Sequence, residues 1–185
     1  MMSLMGTVAA AEPYPWPYDQ QVSTTNLALL ACGWDTAWVG RVAAPQEPAD
    51  QVVRLADAVA SHGGHVLTLR HPDISGQPPA GLPLDGSESL ACAGVDGFWG
   101  SALEAVLRQR QVTHLLVVGH GLEAPVHSTM RSANDRGYEC LLVVDACSSI
   151  APEMRDRSLS MIHMSGGIFG ATASTADTLA AVGSA

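Results

Sequence analysis

The sequence contains no lysine, so no side-chain amine is available for catalysis. The nine positive side chains are all arginine, they face eighteen Asp and Glu, and the formal net charge is -9 at pH 7. Without a basic stripe that neutralises phosphates, we expect no nucleic-acid partner. No run approaches the roughly 18 apolar residues of a membrane span, and Met1 to Ala11 lacks the basic flank of a secretory signal. We therefore expect a soluble, cytoplasmic protein with no membrane partner.

The cysteines also lack a pattern, since no two of them show the C-x-x-C spacing of zinc or redox sites. We therefore expect four reduced thiols, no metal and no other cofactor. A mixed zinc site of His120, Asp35 and Cys92 is the alternative, but three ligands from three loops have no diagnostic spacing. The four cysteines are Cys32, Cys92, Cys140 and Cys147.

The beginning of the chain differs in composition from the rest. AEPYPWPYDQQ alternates proline with aromatic residues, which disfavours helix and sheet and suits an extended arm. Tyr14 and Trp16 need a surface to cover, either the edge of their own domain or a neighbouring subunit. We predict an arm over residues 1–25 and a single domain over residues 26–185, since this length has room for one core.

From Asn26 onward, short apolar runs alternate with amphipathic segments. One such segment is DQVVRLADAVASHG, with Val53, Leu55, Ala56 and Val59 near one face. The order predicts a three-layer α/β/α sandwich, with a doubly wound, mostly parallel six-stranded sheet and helices on both faces. The expected strands are NLALLAC, HVLTLR, ESLAC, THLLVVG, YECLLVVDAC and IFGATAS, and HPDISGQPPAGLPLDGSE is an expected loop. Ligands bind beyond the carboxyl ends of such strands, which here are Gly33 to Asp35, Ala91 to Asp96, Gly119 to Pro125 and Ala146 to Ser149.

The stretch VVGHGLEAPVHSTMRSANDRGYECLLVVDAC resembles the isochorismatase-like cysteine hydrolase family, which usually reads G-V-x-T-x-x-C-V-x-x-T-x-R-x-A-x-D-R-G-Y. FWGSALEAVLRQRQVTHLLVVG and MSGGIFGATASTADTLAAV extend the resemblance on both sides. YPWPYDQQVSTTNLALL is similar to the entry of the biuret-amidohydrolase-like branch. The resemblance covers most of residues 13–182, is weakest between Val39 and Gly81, and implies an isochorismatase-like, Rossmann-like fold.

Members of that family hydrolyse small amides, or in some cases a vinyl ether, with a triad of Asp, Lys and Cys. The resemblance places Gly33 at the position of the aspartate, Cys92 at that of the lysine and Pro125 at that of the cysteine. No shift of alignment restores the nucleophile, because no Cys, Ser or Thr lies between Gly119 and His127. Proline also lacks the N–H that an oxyanion hole would use.

Other polar and aromatic residues at the same sheet edge could form a different site. Cys92 beside His120 is the best nucleophile and base pair, although the net acidity disfavours a thiolate. Asp35 is expected on the pocket rim or as a displaced acid, and the aromatic residues either wall an apolar pocket or close it. The candidate binding residues are Trp34, Asp35, Phe98, Trp99, His120, Gly121 and Glu123.

Two functions follow from these substitutions. We predict a noncatalytic homologue that binds a small molecule or supports oligomer assembly. The resemblance implies a homodimer or homotetramer, with an active hydrolase relative as an alternative partner. The other hypothesis is an amidohydrolase with a rearranged site, in which Cys92 and His120 act on C–N bonds of small amides or ureas.

Overall fold

Six parallel strands form the centre of the fold in a computed structural model that describes residues 4–19, 22–72 and 80–183. The strands are β1 (Leu4–Met5), β2 (Val22–Ser23), β3 (Leu27–Cys32), β4 (His65–Arg70), β5 (Glu88–Ala91), β6 (His114–His120), β7 (Glu139–Ser148) and β8 (Ala171–Ala173). The helices are α1 (Thr36–Val39), α2 (Gln46–Ser61), α3 (Leu103–Gln109), α4 (His127–Asp135), α5 (Pro152–His163) and α6 (Thr175–Val182). A 3₁₀ turn (Thr24–Asn26) precedes β3, and a π-helical turn (Leu122–Val126) follows β6.

The strand order in the main sheet is β5-β4-β3-β6-β7-β8, with every neighbouring pair parallel. This confirms the predicted doubly wound six-stranded sheet. The two central strands, β3 and β6, are buried along their whole length, which is why each reads as a continuous apolar run. The order reverses between them, and this reversal creates the crevice where ligands bind in such sheets.

Helices cover both faces of the sheet, because alternate strand residues point to opposite sides. Leu27 and Leu29 pack with α2 and α6, whereas Ala28 and Leu30 pack with α3, α4 and α5. Within α2 the buried positions are Val52, Leu55, Ala56 and Val59. The expectation that Val53 belongs to this face is wrong, since Val53 is 43% exposed and Val52 takes its place at i, i+3, i+4 and i+7 spacing.

The N-terminal arm covers the edge of its own domain. Trp16 is fully buried and packs edge-on against His114, and Glu12 exchanges backbone hydrogen bonds with Thr172 in β8. Two short strands, β1 and β2, lie on either side of the proline- and aromatic-rich stretch and pair antiparallel. Residues 1–3, 20–21 and 184–185 lie outside the described residues, as do residues 73–79 of the predicted loop. None of the helices in the described ranges has the length and apolar character that crossing a bilayer requires.

Candidate functional site

The candidate site lies at the crevice between β3 and β6, where the topology predicts it. Gly33 follows β3, His120 ends β6, and Gly121 begins the turn that contains Pro125. Gly33, His120 and Pro125 are all buried. The positions that the resemblance assigns to the carboxylate and the nucleophile therefore both lie inside the protein.

Gly33 occupies a place where no side chain fits. Its φ is +58°, a left-handed conformation that favours glycine. A Cβ at this position would lie 2.5 Å from the carbonyl oxygen of His120 and 3.2 Å from the Cβ and Cγ of Trp38. Backbone at that distance cannot move cheaply, so an aspartate at this position requires a shift of β6.

Trp38 fills the space beside these positions. A Cβ at Gly121 would meet its ring atoms Cε3 and Cζ3 at 2.7 and 2.9 Å, and the Cδ of Pro125 at 2.9 Å. One indole thus reaches from Gly33 to Gly121 and the proline, and only 5% of Trp38 is exposed. Sequence reasoning missed Trp38. The available signal was the sequence D-T-A-W. An N-cap side chain accepts a hydrogen bond from the backbone N–H two or three residues later, and Trp38 is three residues after Asp35.

Asp35 holds Trp38 in place as the N-cap of α1. One carboxylate oxygen accepts a hydrogen bond from the Trp38 N–H at 3.0 Å, and the other accepts one from the His71 N–H at 2.9 Å. Burial raises the pKa of Asp35, and these two hydrogen bonds oppose the rise. The carboxylate is fully buried, so Asp35 is not on a pocket rim, and its role as a displaced acid stays a prediction.

Cys92 is a buried thiol whose one nearby cation, Arg70, lowers its pKa less than burial raises it. Its Sγ contacts the carbonyl oxygen of Gly97 at 3.5 Å. Burial raises the pKa of Cys92 to about 12, and the nearby carboxylates of Asp96 and Asp35 add to the rise. Burial raises the pKa of the other three cysteines as well. Near neutral pH these side chains remain thiols and are poor nucleophiles.

His120 contacts Ser148, not Cys92 as the hypothesis of a rearranged site required. The Nδ1 of His120 lies 2.6 Å from the Ser148 hydroxyl, and its ring stacks on Trp34 at 5.2 Å. Burial lowers the pKa of His120 to about 4, so the imidazole is neutral near pH 7. Its Nε2 has no hydrogen-bond partner in the described part of the chain. Ser148 was detectable from sequence only as one of several strand-end residues, since its contact depends on the β6 and β7 register.

The remaining candidate residues lie in different surroundings. Phe98 is buried, stacks on Tyr138 at 6.0 Å and carries the guanidinium of Arg136 over its ring. Trp99 is 68% exposed, so it closes nothing. Glu123 accepts a hydrogen bond from the Ile150 N–H at 3.1 Å from either oxygen. Side-chain direction after a strand depends on the following loop, and the binding role of these residues stays a prediction.

The fold and the site together define the class of protein. It is a doubly wound α/β/α domain whose crevice, at the point where the strand order reverses, is filled by a side chain. Residues 27–177 match the isochorismatase domain family, and the chain belongs to that family.

Solved structures show the same fold at low sequence identity. A cysteine hydrolase from Pseudomonas syringae pv. phaseolicola superimposes with a TM-score of 0.78 at 17% identity, covering 91% of this chain and 96% of that chain. An isochorismatase family protein from Desulfovibrio vulgaris gives a TM-score of 0.72 at 19% identity, covering 82% and 95%. At these identities the similarity establishes the fold alone.

Curated relatives match over shorter stretches. The isochorismatase family protein YecD of Escherichia coli O157:H7 is 32% identical over 66 residues, which are 36% of this chain and 35% of YecD. The curated relatives are matched over 35% to 62% of their own length.

Proposed function

We propose that this isochorismatase-family chain has lost the cysteine-dependent hydrolysis that the resemblance implies and serves as an assembly protein. The observation that carries the proposal is the indole of Trp38, which fills the space between Gly33, Gly121 and Pro125. A substrate at that place would have to displace a buried tryptophan. A small-molecule ligand would face the same obstacle, so assembly is the better supported of the two noncatalytic functions.

The chemistry of the side chains supports the loss of hydrolysis independently. The chain has no lysine, so the cation of the triad has no source. Pro125 has neither a thiol nor a backbone N–H, which removes the nucleophile and one oxyanion donor together. Because burial raises the pKa of every cysteine, no thiolate replaces the missing nucleophile.

The absence of turnover is the first testable consequence. Pure protein incubated with a panel of small amides, ureas and isochorismate is expected to release no ammonia or product above a protein-free control.

The rearranged hydrolase is the second candidate function, and the contact between His120 and Ser148 is the observation that favours it. Turnover that Ser148→Ala abolishes would support this second function, and turnover that Cys92→Ala abolishes would support the pairing of Cys92 with His120. Either result would contradict our proposal.

The surface that supports assembly is a group of exposed apolar side chains on and beside α5, here called the α5 face. It comprises Met154 and Met161 on the helix, Ile150 before it, and Met164 and Ile168 after it. Several large apolar side chains exposed within one short segment are typical of an interaction site.

We assign this face to a second copy of the chain, because its charges are self-complementary. Glu153 and Arg157 are both exposed and lie one helical turn apart. In a two-fold contact, every pairing of one residue with another is formed twice, once in each direction. An antiparallel pairing of two α5 helices therefore brings Glu153 near Arg157 of the second copy, and Ile150 near Met161 of the second copy.

Met161→Glu is expected to convert a dimer into a monomer, because it buries two unpaired carboxylates in the contact. Light scattering coupled to size exclusion, at roughly 100 µM protein, measures the mass directly. Val53→Glu is the matched control, since Val53 is similarly exposed but lies on α2. A monomeric wild-type protein, or a Met161→Glu variant that stays dimeric, would contradict assembly through this face.

A further inference from the structure

We infer that the opposite, amino-terminal edge of the sheet binds a divalent first-row transition-metal ion. Its ligands are His114, Glu139 and Asp19. His114 begins β6, Glu139 begins β7, and the two are paired in register, while Asp19 comes from the N-terminal arm. This site goes beyond the proposed function and does not depend on it.

The separation of His114 and Glu139 fits a shared ion, and Asp19 lies within reach of it. One ligand atom from each residue lies within 4.8 Å of the other two. The His114 Nε2 and a carboxylate oxygen of Glu139 are 3.3 Å apart. Two ligands held roughly 2.1 Å from a tetrahedral zinc ion are about 3.4 Å from each other. The observed separation of 3.3 Å exceeds the usual N–H···O distance of about 2.9–3.0 Å. It therefore suits two ligands of one ion better than a hydrogen bond between the two side chains.

His114 presents a buried nitrogen to this position, where its one ion-pair contact among the described residues is the Glu139 oxygen at 3.3 Å. The residue is 8% exposed, and its Nε2 is buried without a hydrogen-bond partner in the described ranges. The other ring nitrogen, Nδ1, lies 2.8 Å from the hydroxyl of Thr113. When Nδ1–H donates to that hydroxyl, Nε2 carries the lone pair, which is the form in which histidine binds metals. A bound cation would satisfy a polar atom that is otherwise costly to bury.

The arm positions the carboxylates. The backbone N–H of Tyr18 donates a hydrogen bond to one oxygen of Glu139, and the other oxygen faces His114. Trp16 anchors the arm by packing edge-on against the His114 ring at 5.6 Å. Asp19 follows directly and is exposed, so the ion would keep a position open to water. One imidazole and two carboxylates suit Zn²⁺ or Mn²⁺ better than Mg²⁺ or Ca²⁺, which take oxygen ligands almost alone.

The test is a titration of untagged, metal-stripped full-length protein with zinc and, for a visible spectrum, with cobalt. Calorimetry is expected to give one ion per chain, and saturating zinc is expected to raise the melting midpoint by roughly 5 °C or more. Magnesium is expected to bind at least tenfold more weakly than zinc. No zinc binding below about 100 µM, or magnesium binding as tight as that of zinc, would overturn the assignment.

Variants separate this site from adventitious binding. Glu139→Gln and Asp19→Asn are expected to weaken zinc binding at least tenfold and to change the cobalt spectrum. They are preferred to a substitution of His114, whose burial makes a folding defect a competing explanation. Asp57→Asn and Glu47→Gln, both exposed on α2, are the matched controls and are expected to bind zinc like the wild type. Equal zinc affinity in all four variants would show an adventitious ion only.

Discussion

Trp38→Ala is expected to lower the free energy of unfolding by about 3–5 kcal/mol, the range for truncating a large buried aromatic side chain. The reason is the cavity that the substitution leaves. Backbone surrounds the indole on the sides of Gly33 and Gly121, and both glycines have positive φ, so this part of the structure cannot collapse onto the gap. Equilibrium unfolding in urea measures the loss, provided that the slope with denaturant is unchanged.

The matched control for this substitution is Trp99→Ala. The same atoms are removed there, but Trp99 is 68% exposed, and the expected change is within about 0.5 kcal/mol. Free indole added to Trp38→Ala is expected to recover part of the lost stability, because it binds the cavity of the folded state only. A loss below about 1 kcal/mol, or an equal loss in the control, would mean that the crevice is not filled by Trp38 and that a ligand has room there.

The fold was predictable because its central strands can be identified from the local sequence. β3 and β6 are buried on both faces, so each is a continuous apolar run that can be identified without knowing its neighbours. The alternation of such runs with helical segments leaves few topologies, and the observed strand order is one of them. Helix boundaries were less predictable: α2 begins at Gln46, earlier than its amphipathic pattern suggests, because Pro48 is tolerated in a first turn.

The candidate site was predictable in position but not in content. Gly33, His120 and Gly121 follow strand ends, so topology alone brings them together. Their chemistry depends on contacts between distant segments. His120 meets Ser148 through the register of two strands, and Asp19 reaches Glu139 only after the arm has folded back. Local sequence patterns do not reveal which distant residues contact each other, and a single sequence contains no other information on these contacts.

Gly33→Asp, which restores the carboxylate that the resemblance assigns to this position, is expected to cost about 3 kcal/mol and to restore no activity. Two effects add. Any side chain at a φ of +58° is strained, and overpacking a rigid interior typically costs about 1–3 kcal/mol. The obstructing atom is the backbone oxygen of His120, at 2.5 Å from the new Cβ, and it belongs to a central strand.

Gly86→Asp separates the two effects, because Gly86 also has a positive φ of +73° but has nothing within 4 Å of a Cβ. We expect this control to cost about 1 kcal/mol, which is the strain alone. The difference between the two variants in urea unfolding then measures the steric term at the site. If Gly33→Asp costs no more than Gly86→Asp, the strand yields to the new carboxylate. Glycine would then be a neutral replacement for the family's aspartate, and the barriers to the family's chemistry would be the missing lysine, the missing thiol at Pro125 and the Trp38 indole.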